Sequence, residues 1–111
     1  MGVFAAGQVA LLPFPFSDLS RNKLRPVILL ACASREYWIV CQITSNPFGD
    51  SRSFPLTPSD FSSGTLHHIS YVRPGKIFTA HESLIAAVVG TLKMEMLTTI
   101  RNAVIAILRQ G

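Results

Sequence analysis

The sequence predicts a small, mainly β domain, a barrel-like sheet closed by one C-terminal helix. Short runs rich in Val, Ile and aromatic residues recur between residues 8 and 89, punctuated by Pro, Gly, Asn and Ser. A single apolar stripe of helical period follows them: Leu97, Ile100, Val104, Ile107 and Leu108. A chain of 111 residues suffices for one core but not two, so residues 1–111 are expected to be one domain.

Gln8 to Leu12 reads as the first strand, stopped by Pro13 and Pro15. Pro26 to Ala33 is the second; apolar on both faces, it belongs in the middle of a sheet. Tyr37 to Ser45 is the third, and the short link Ala33 to Glu36 makes the two a hairpin. A turn centred between Ser34 and Arg35 sets Arg25 opposite Thr44, on one face with Gln42, Val40 and Trp38. Pro26 biases Arg25 towards an extended backbone at the strand mouth.

Asn46 to Asp50 is a turn and Ser53 to Leu56 a short strand. Thr57 and Pro58 have the chemistry of an N-cap and first helical residue, predicting one helical turn ended by Gly64. His67 to Val72 and Ile77 to Thr79 read as strands flanking an Arg73–Lys76 turn, and Leu84 to Val89 as a last strand broken at Gly90. The final helix has a weak start, with Lys93 where Ser or Asp is preferred, and Ile105 lies off its stripe as a candidate subunit contact.

Hydrophobic residues make up 49% of the chain and charged ones 14%, which for so short a chain implies apolar surface covered by a second subunit. The longest apolar run, Val27 to Ala33, is far short of the roughly 18 residues of a membrane span. Met1 to Ala6 lacks the basic start of a signal peptide, so a cytoplasmic protein is expected. Cys32 and Cys41 are expected to be buried, free thiols; their register forbids a disulfide, and no metal-ligand spacing is present.

The net charge is +4, and six of the ten basic residues (Arg21, Lys23, Arg25, Arg52, Arg73, Lys76) fall in or beside predicted loops. That favours an anionic partner. Arg25 with Thr44 and Ser45 offers a guanidinium fork and hydroxyl donors, a set suited to a phosphoryl group; the alternative is a strand-mouth arginine bonded to loop carbonyls. The loop cations, with Phe14, Phe16, Phe48 and Tyr71 as stacking faces, suit a single-stranded nucleic acid; the alternative is core aromatics beneath a solvated charge. His67 and His68 point to opposite faces of a strand, and read more plainly as structure than as a general base.

Gly7-Gln8-Val9, Pro13-Phe14-Pro15-Phe16-Ser17-Asp18, Arg25-Pro26, Ile43-Thr44-Ser45 and Ser70 to Thr79, in that order and spacing, resemble the landmarks of the MazF/PemK toxins of toxin–antitoxin pairs. The resemblance implies an SH3-like barrel with a C-terminal helix, a homodimer, and a cognate antitoxin as partner. It implies an endoribonuclease without metal or cofactor, cutting single-stranded RNA to 2′,3′-cyclic phosphate and 5′-hydroxyl ends. Arg25 and Thr44 match the family's catalytic positions. Ser17, Asp18, Arg21 and Lys23 of the first loop, Ser45 and Asn46 after the third strand, and Arg73 and Lys76 are the expected RNA-contacting set. The loop from Ser17 to Leu24 resembles a mobile cover that the antitoxin displaces. Ile69 to Arg73 contains no carboxylate, where some members carry one as general base. A CcdB-like gyrase-binding toxin and a degenerate RNA- or antitoxin-binding domain are the rival readings.

Overall fold

In a computed structural model of the chain, residues 3–13, 23–47 and 49–111 are described. They form seven strands and one α-helix: β1 (Gln8–Pro13), β2 (Leu24–Ser34), β3 (Tyr37–Thr44), β4 (Phe54–Leu56), β5 (Phe61–Gly64), β6 (Ser70–His81), β7 (Ala87–Leu92) and α1 (Met94–Gln110). One antiparallel sheet runs in the order β4-β6-β3-β2-β1-β7-β5.

The connectivity forces this sheet to curl. Its edge strands, β4 and β5, are joined by residues 57–60 alone. Such a link spans at most roughly 18 Å, whereas a flat sheet of seven strands holds its edges about 29 Å apart. The mainly β, half-closed barrel with a C-terminal helix is therefore as expected.

Two cores follow from the alternation of side chains. The helix side holds Val9, Ile28, Leu30, Cys41, Ile43 and Val72 of the strands with Leu97, Ile100 and Val104 of α1. Each of those three helix side chains contributes about 1.5–3 kcal/mol by burial. The opposite face holds Ala10, Leu12, Val27, Leu29, Trp38, Val40 and Ala80. As expected, β2 is apolar on both sides and central.

Arg101 ties the helix to the sheet. The β2–β3 register shifts between Leu29 and Ala31, and Leu30 is the extra residue of the bulge. Its carbonyl accepts from both Nε and Nη2 of Arg101, at 3.1 and 2.8 Å. At the other end of α1 no side chain caps the helix; the Lys93 carbonyl accepts from the amides of Met96 and Leu97.

Several expectations are corrected. Arg73 to Lys76 is not a turn: β6 continues through it, and Pro74, Gly75 and Lys76 form a bulge between Cys41↔Ile77 and Gln42↔Arg73. Pro74 tolerates this because its missing N–H is at a break in the ladder, while its ring is fully buried. The helical turn is a short 3-10 turn, Pro58–Asp60, and Asp60 reaches back to the Thr57 amide at 2.8 Å. It ends at Phe61, where β5 begins, rather than at Gly64. His67 and His68 lie in a bend before β6, not in a strand.

The last strand is Ala87–Leu92 and contains Gly90 rather than breaking there. Gly90 pairs with Val9 and Gly64, and a Cβ would come within 2.8 Å of Phe61, so the missing side chain permits close packing. Cys32 is exposed, not buried; both cysteines are free. Leu108, placed on the buried stripe by its spacing, is exposed, and so is Ile105. Among the described residues, no helix is long and apolar enough to cross a membrane.

Candidate nucleic-acid site

The site begins with the register of β2 and β3. The turn is Arg35–Glu36, one residue later than expected, with Ser34 opposite Tyr37. Two bulges in β2, at Ala33 and Leu30, then slip the pairing by one residue each, leaving Val27 opposite Gln42. Carried two residues further, that register sets Arg25 level with Thr44. The strand-mouth alignment matches the expected one, but bulges produce it rather than the turn.

Neighbouring strands extend this into rows across the sheet. Leu12 of β1 pairs with Arg25, Thr44 with Tyr71 of β6, and Tyr71 with Pro55 of β4. The next row inward is Ala10, Val27, Gln42 and Arg73. Residues opposite one another share a face, so Arg25, Thr44, Gln42, Tyr71 and Arg73 all stand on the face away from α1. They form the polar end of the second core.

Within this end the polar groups are ordered. Arg73 Nε donates to Asp50 Oδ2 at 2.7 Å, and Nη1 to Gln42 Oε1 at 3.3 Å. Gln42 is buried, and a buried amide without a partner costs about 1–3 kcal/mol, so Arg73 satisfies a group the strand must bury. Asp50 arrives on a loop stapled to itself: its amide donates to the Pro47 carbonyl, its own carbonyl accepts from Ser53, and Oδ1 accepts from the Arg52 amide. The Arg73 guanidinium beside Asp50 holds its carboxyl below the usual range, outweighing burial, which acts the other way.

Thr44 is half-buried, and its hydroxyl is engaged locally, accepting from the Asn46 amide at 3.1 Å and donating to the Asn46 carbonyl at 3.3 Å. Arg25 is half-buried, and among the described residues no hydrogen bond or ion pair occupies its guanidinium. A guanidinium fork at a strand mouth, level with a hydroxyl, has the donor chemistry that a phosphate oxygen accepts from.

The other expected residues divide. Ser45 and Asn46 are exposed just past Thr44, and Lys23 is exposed just before β2. Lys76 is half-buried in the β6 bulge. Ser17, Asp18 and Arg21, with Phe14, Phe16 and Phe48, lie outside the described residues. Among those described, no three His, Cys, Asp or Glu side chains gather to hold a metal ion. Among the described residues, one surface depression lies at Ser59, Asp60, Lys93 and Glu95 and another at Leu66, His67, His68 and Ile69; none of the row residues Arg25, Thr44, Gln42 or Arg73 lines either.

Sequence reasoning missed Asp50 as a partner of Arg73. A signal existed at one end only: Gln42, two residues from Thr44 on a buried face, demanded a polar partner. Nothing local in the sequence marks Asp50, which meets Arg73 across 23 residues of chain.

The fold has solved counterparts. The chain superposes on MazF in a MazE–MazF complex from Deinococcus radiodurans with a TM-score of 0.72 and 17% identity, covering 97% of each chain. For an endoribonuclease in complex with its cognate antitoxin from a Mycobacterial species, the TM-score is 0.69 at 17% identity, covering 96% of this chain and 95% of that one. The Mycobacterium tuberculosis toxin MazF-mt6 gives 0.64 at 19%, covering 87% and 91%. No curated protein sequence matches. At these identities the superpositions speak for the fold. Residues 5–108 match the family model for the PemK-like, MazF-like toxins of type II toxin–antitoxin systems. With that match spanning nearly the whole chain, the protein belongs to the PemK/MazF toxin family.

Proposed function

We propose that residues 1–111 act as one toxin domain, an endoribonuclease that cuts single-stranded RNA at short specific sequences. The observation that carries this reading is the row in which Arg25, with no partner among the described residues, stands level with Thr44. In the reaction the ribose 2′-oxygen attacks the adjacent phosphorus and the bond to the 5′-oxygen breaks. The 2′-hydroxyl gives up its proton, the 5′-oxygen takes one up, and the products are a 2′,3′-cyclic phosphate and a 5′-hydroxyl. Charge grows on the phosphoryl oxygens as the bond forms. Arg25 stabilises that charge through its fixed fork. Thr44 orients the phosphate once its hydroxyl turns from the Asn46 carbonyl. In this reading no metal or cofactor takes part.

Arg73, with Nε and Nη1 given to Asp50 and Gln42, keeps three further N–H donors for the flanking RNA and also contributes field and rigidity. Ser17, Asp18, Arg21, Lys23, Ser45, Asn46 and Lys76 serve the flanking RNA in this account. The working unit is a cytoplasmic homodimer with Ile105 at its contact, neutralised by a cognate antitoxin. The similar structures include an endoribonuclease with its antitoxin and a MazE–MazF complex, which supports that reading. A long single-stranded RNA incubated with the protein in EDTA tests it. Discrete fragments ending in cyclic phosphate are expected; intact RNA from folded protein, or cleavage only after a divalent ion is added, would contradict it.

A further inference from the structure

We propose that Tyr71 is a specificity-determining residue, a stacking platform for the base next to the phosphate held at Arg25 and Thr44. The proposal rests on the ribonuclease reading and goes beyond it, because it assigns a base-contacting side chain. Tyr71 pairs with Thr44 on one side and with Pro55 on the other. Arg73, two residues along β6 on the same face, is fixed by its bond to Gln42, which shows which way that face points. Tyr71 therefore stands two strand spacings from Arg25, with its Cα roughly 10 Å away.

Among the described residues the Tyr71 side chain makes no hydrogen bond or ring contact, and it is only half-buried. Its neighbour across the edge, Pro55, is exposed and offers no N–H to cover it. Ile69, Leu84 and the helix positions Ile105 and Leu108 are also exposed apolar groups, but none of them is in this row. A phosphate between Arg25 and Thr44 leaves the neighbouring base one sugar away, on the side where the phenol ring lies. Stacking on an aromatic face tolerates several bases yet ranks them by stacking strength, so Tyr71 biases the cleavage sequence without reading hydrogen bonds.

The test uses a single-stranded oligonucleotide with 2′-deoxy sugars throughout, which lacks the nucleophile and stays intact. Its affinity is measured for the wild type, Tyr71→Phe and Tyr71→Leu at several salt concentrations. Tyr71→Phe should bind within about twofold of wild type, and Tyr71→Leu roughly 5- to 100-fold more weakly, the range that one base stack supplies. The salt slope should be the same in all three, since no charge is lost. Leu keeps the apolar packing, and equal thermal melting of the variants guards against misfolding. Wild-type affinity in Tyr71→Leu would overturn the proposal, and so would a Phe variant as weak as the Leu variant, which would assign the effect to the hydroxyl. Failure of the wild type itself to bind would instead sink the ribonuclease reading beneath it.

Discussion

Gln42 of β3 and Arg73 of β6 stand directly opposite each other, and their side chains are joined, Nη1 to Oε1, at 3.3 Å. The pair sits one row below Arg25 and Thr44 and closes the polar end of the second core. Asp50 completes it from a loop. That polar end is therefore braced by a small network rather than by packing.

Replacing Asp50 with Asn should loosen that network. Both partners are more buried than not, with side chains 25% and 14% exposed, and the loss should be about 1 kcal/mol in urea unfolding at neutral pH. Because Arg73 lowers the folded-state pKa of Asp50, its contribution is present above the ordinary value of 3.8 and fades as the pH falls through the folded value. The stability gap between wild type and Asp50→Asn should thus shrink as the solution is acidified below 3.8. A gap that stays constant down to strongly acid pH would remove the ion pair from the account.

Arg101→Met should destabilise the fold by about 1–3 kcal/mol while leaving its helical content unchanged. The bulge leaves Leu30 without a register partner on β3, and the guanidinium donates twice to its carbonyl. Chemical denaturation checks the magnitude, and circular dichroism the intact helix.

The two cysteines should differ sharply. Burial pushes the Cys41 thiol up to about 12, so it stays protonated and inert in the folded protein, whereas Cys32 is open to solvent. A thiol reagent at pH 8 should titrate one group in native protein and two in denaturant. The same shift makes folding less favourable as the pH rises from the ordinary value of 9.0 towards 12, since only the unfolded thiol ionises there.

The order of the main elements was legible because strands and the helix announce themselves by apolar period, and β2, apolar on both faces, had to be central. The alignment of Arg25 with Thr44 was expected from a turn one residue too early, and two bulges in β2 that the sequence did not announce restore it. What was not legible came from tertiary context. Pro74-Gly75 is a strong turn signal, yet a bulge absorbs it without interrupting β6. Phe61-Ser62-Ser63-Gly64 carries one apolar residue, and becomes a strand only because β7 offers it an edge. Asp50 meets Arg73 through a loop whose path no local pattern dictates.

The most direct measurement is the cleavage rate of Arg25→Ala on single-stranded RNA, set beside its melting temperature. On the proposed reading, loss of the Arg25 guanidinium should cut the rate by at least about 10²–10³-fold with the fold retained. A stable Arg25→Ala protein that cleaves like the wild type would contradict the assignment of the site.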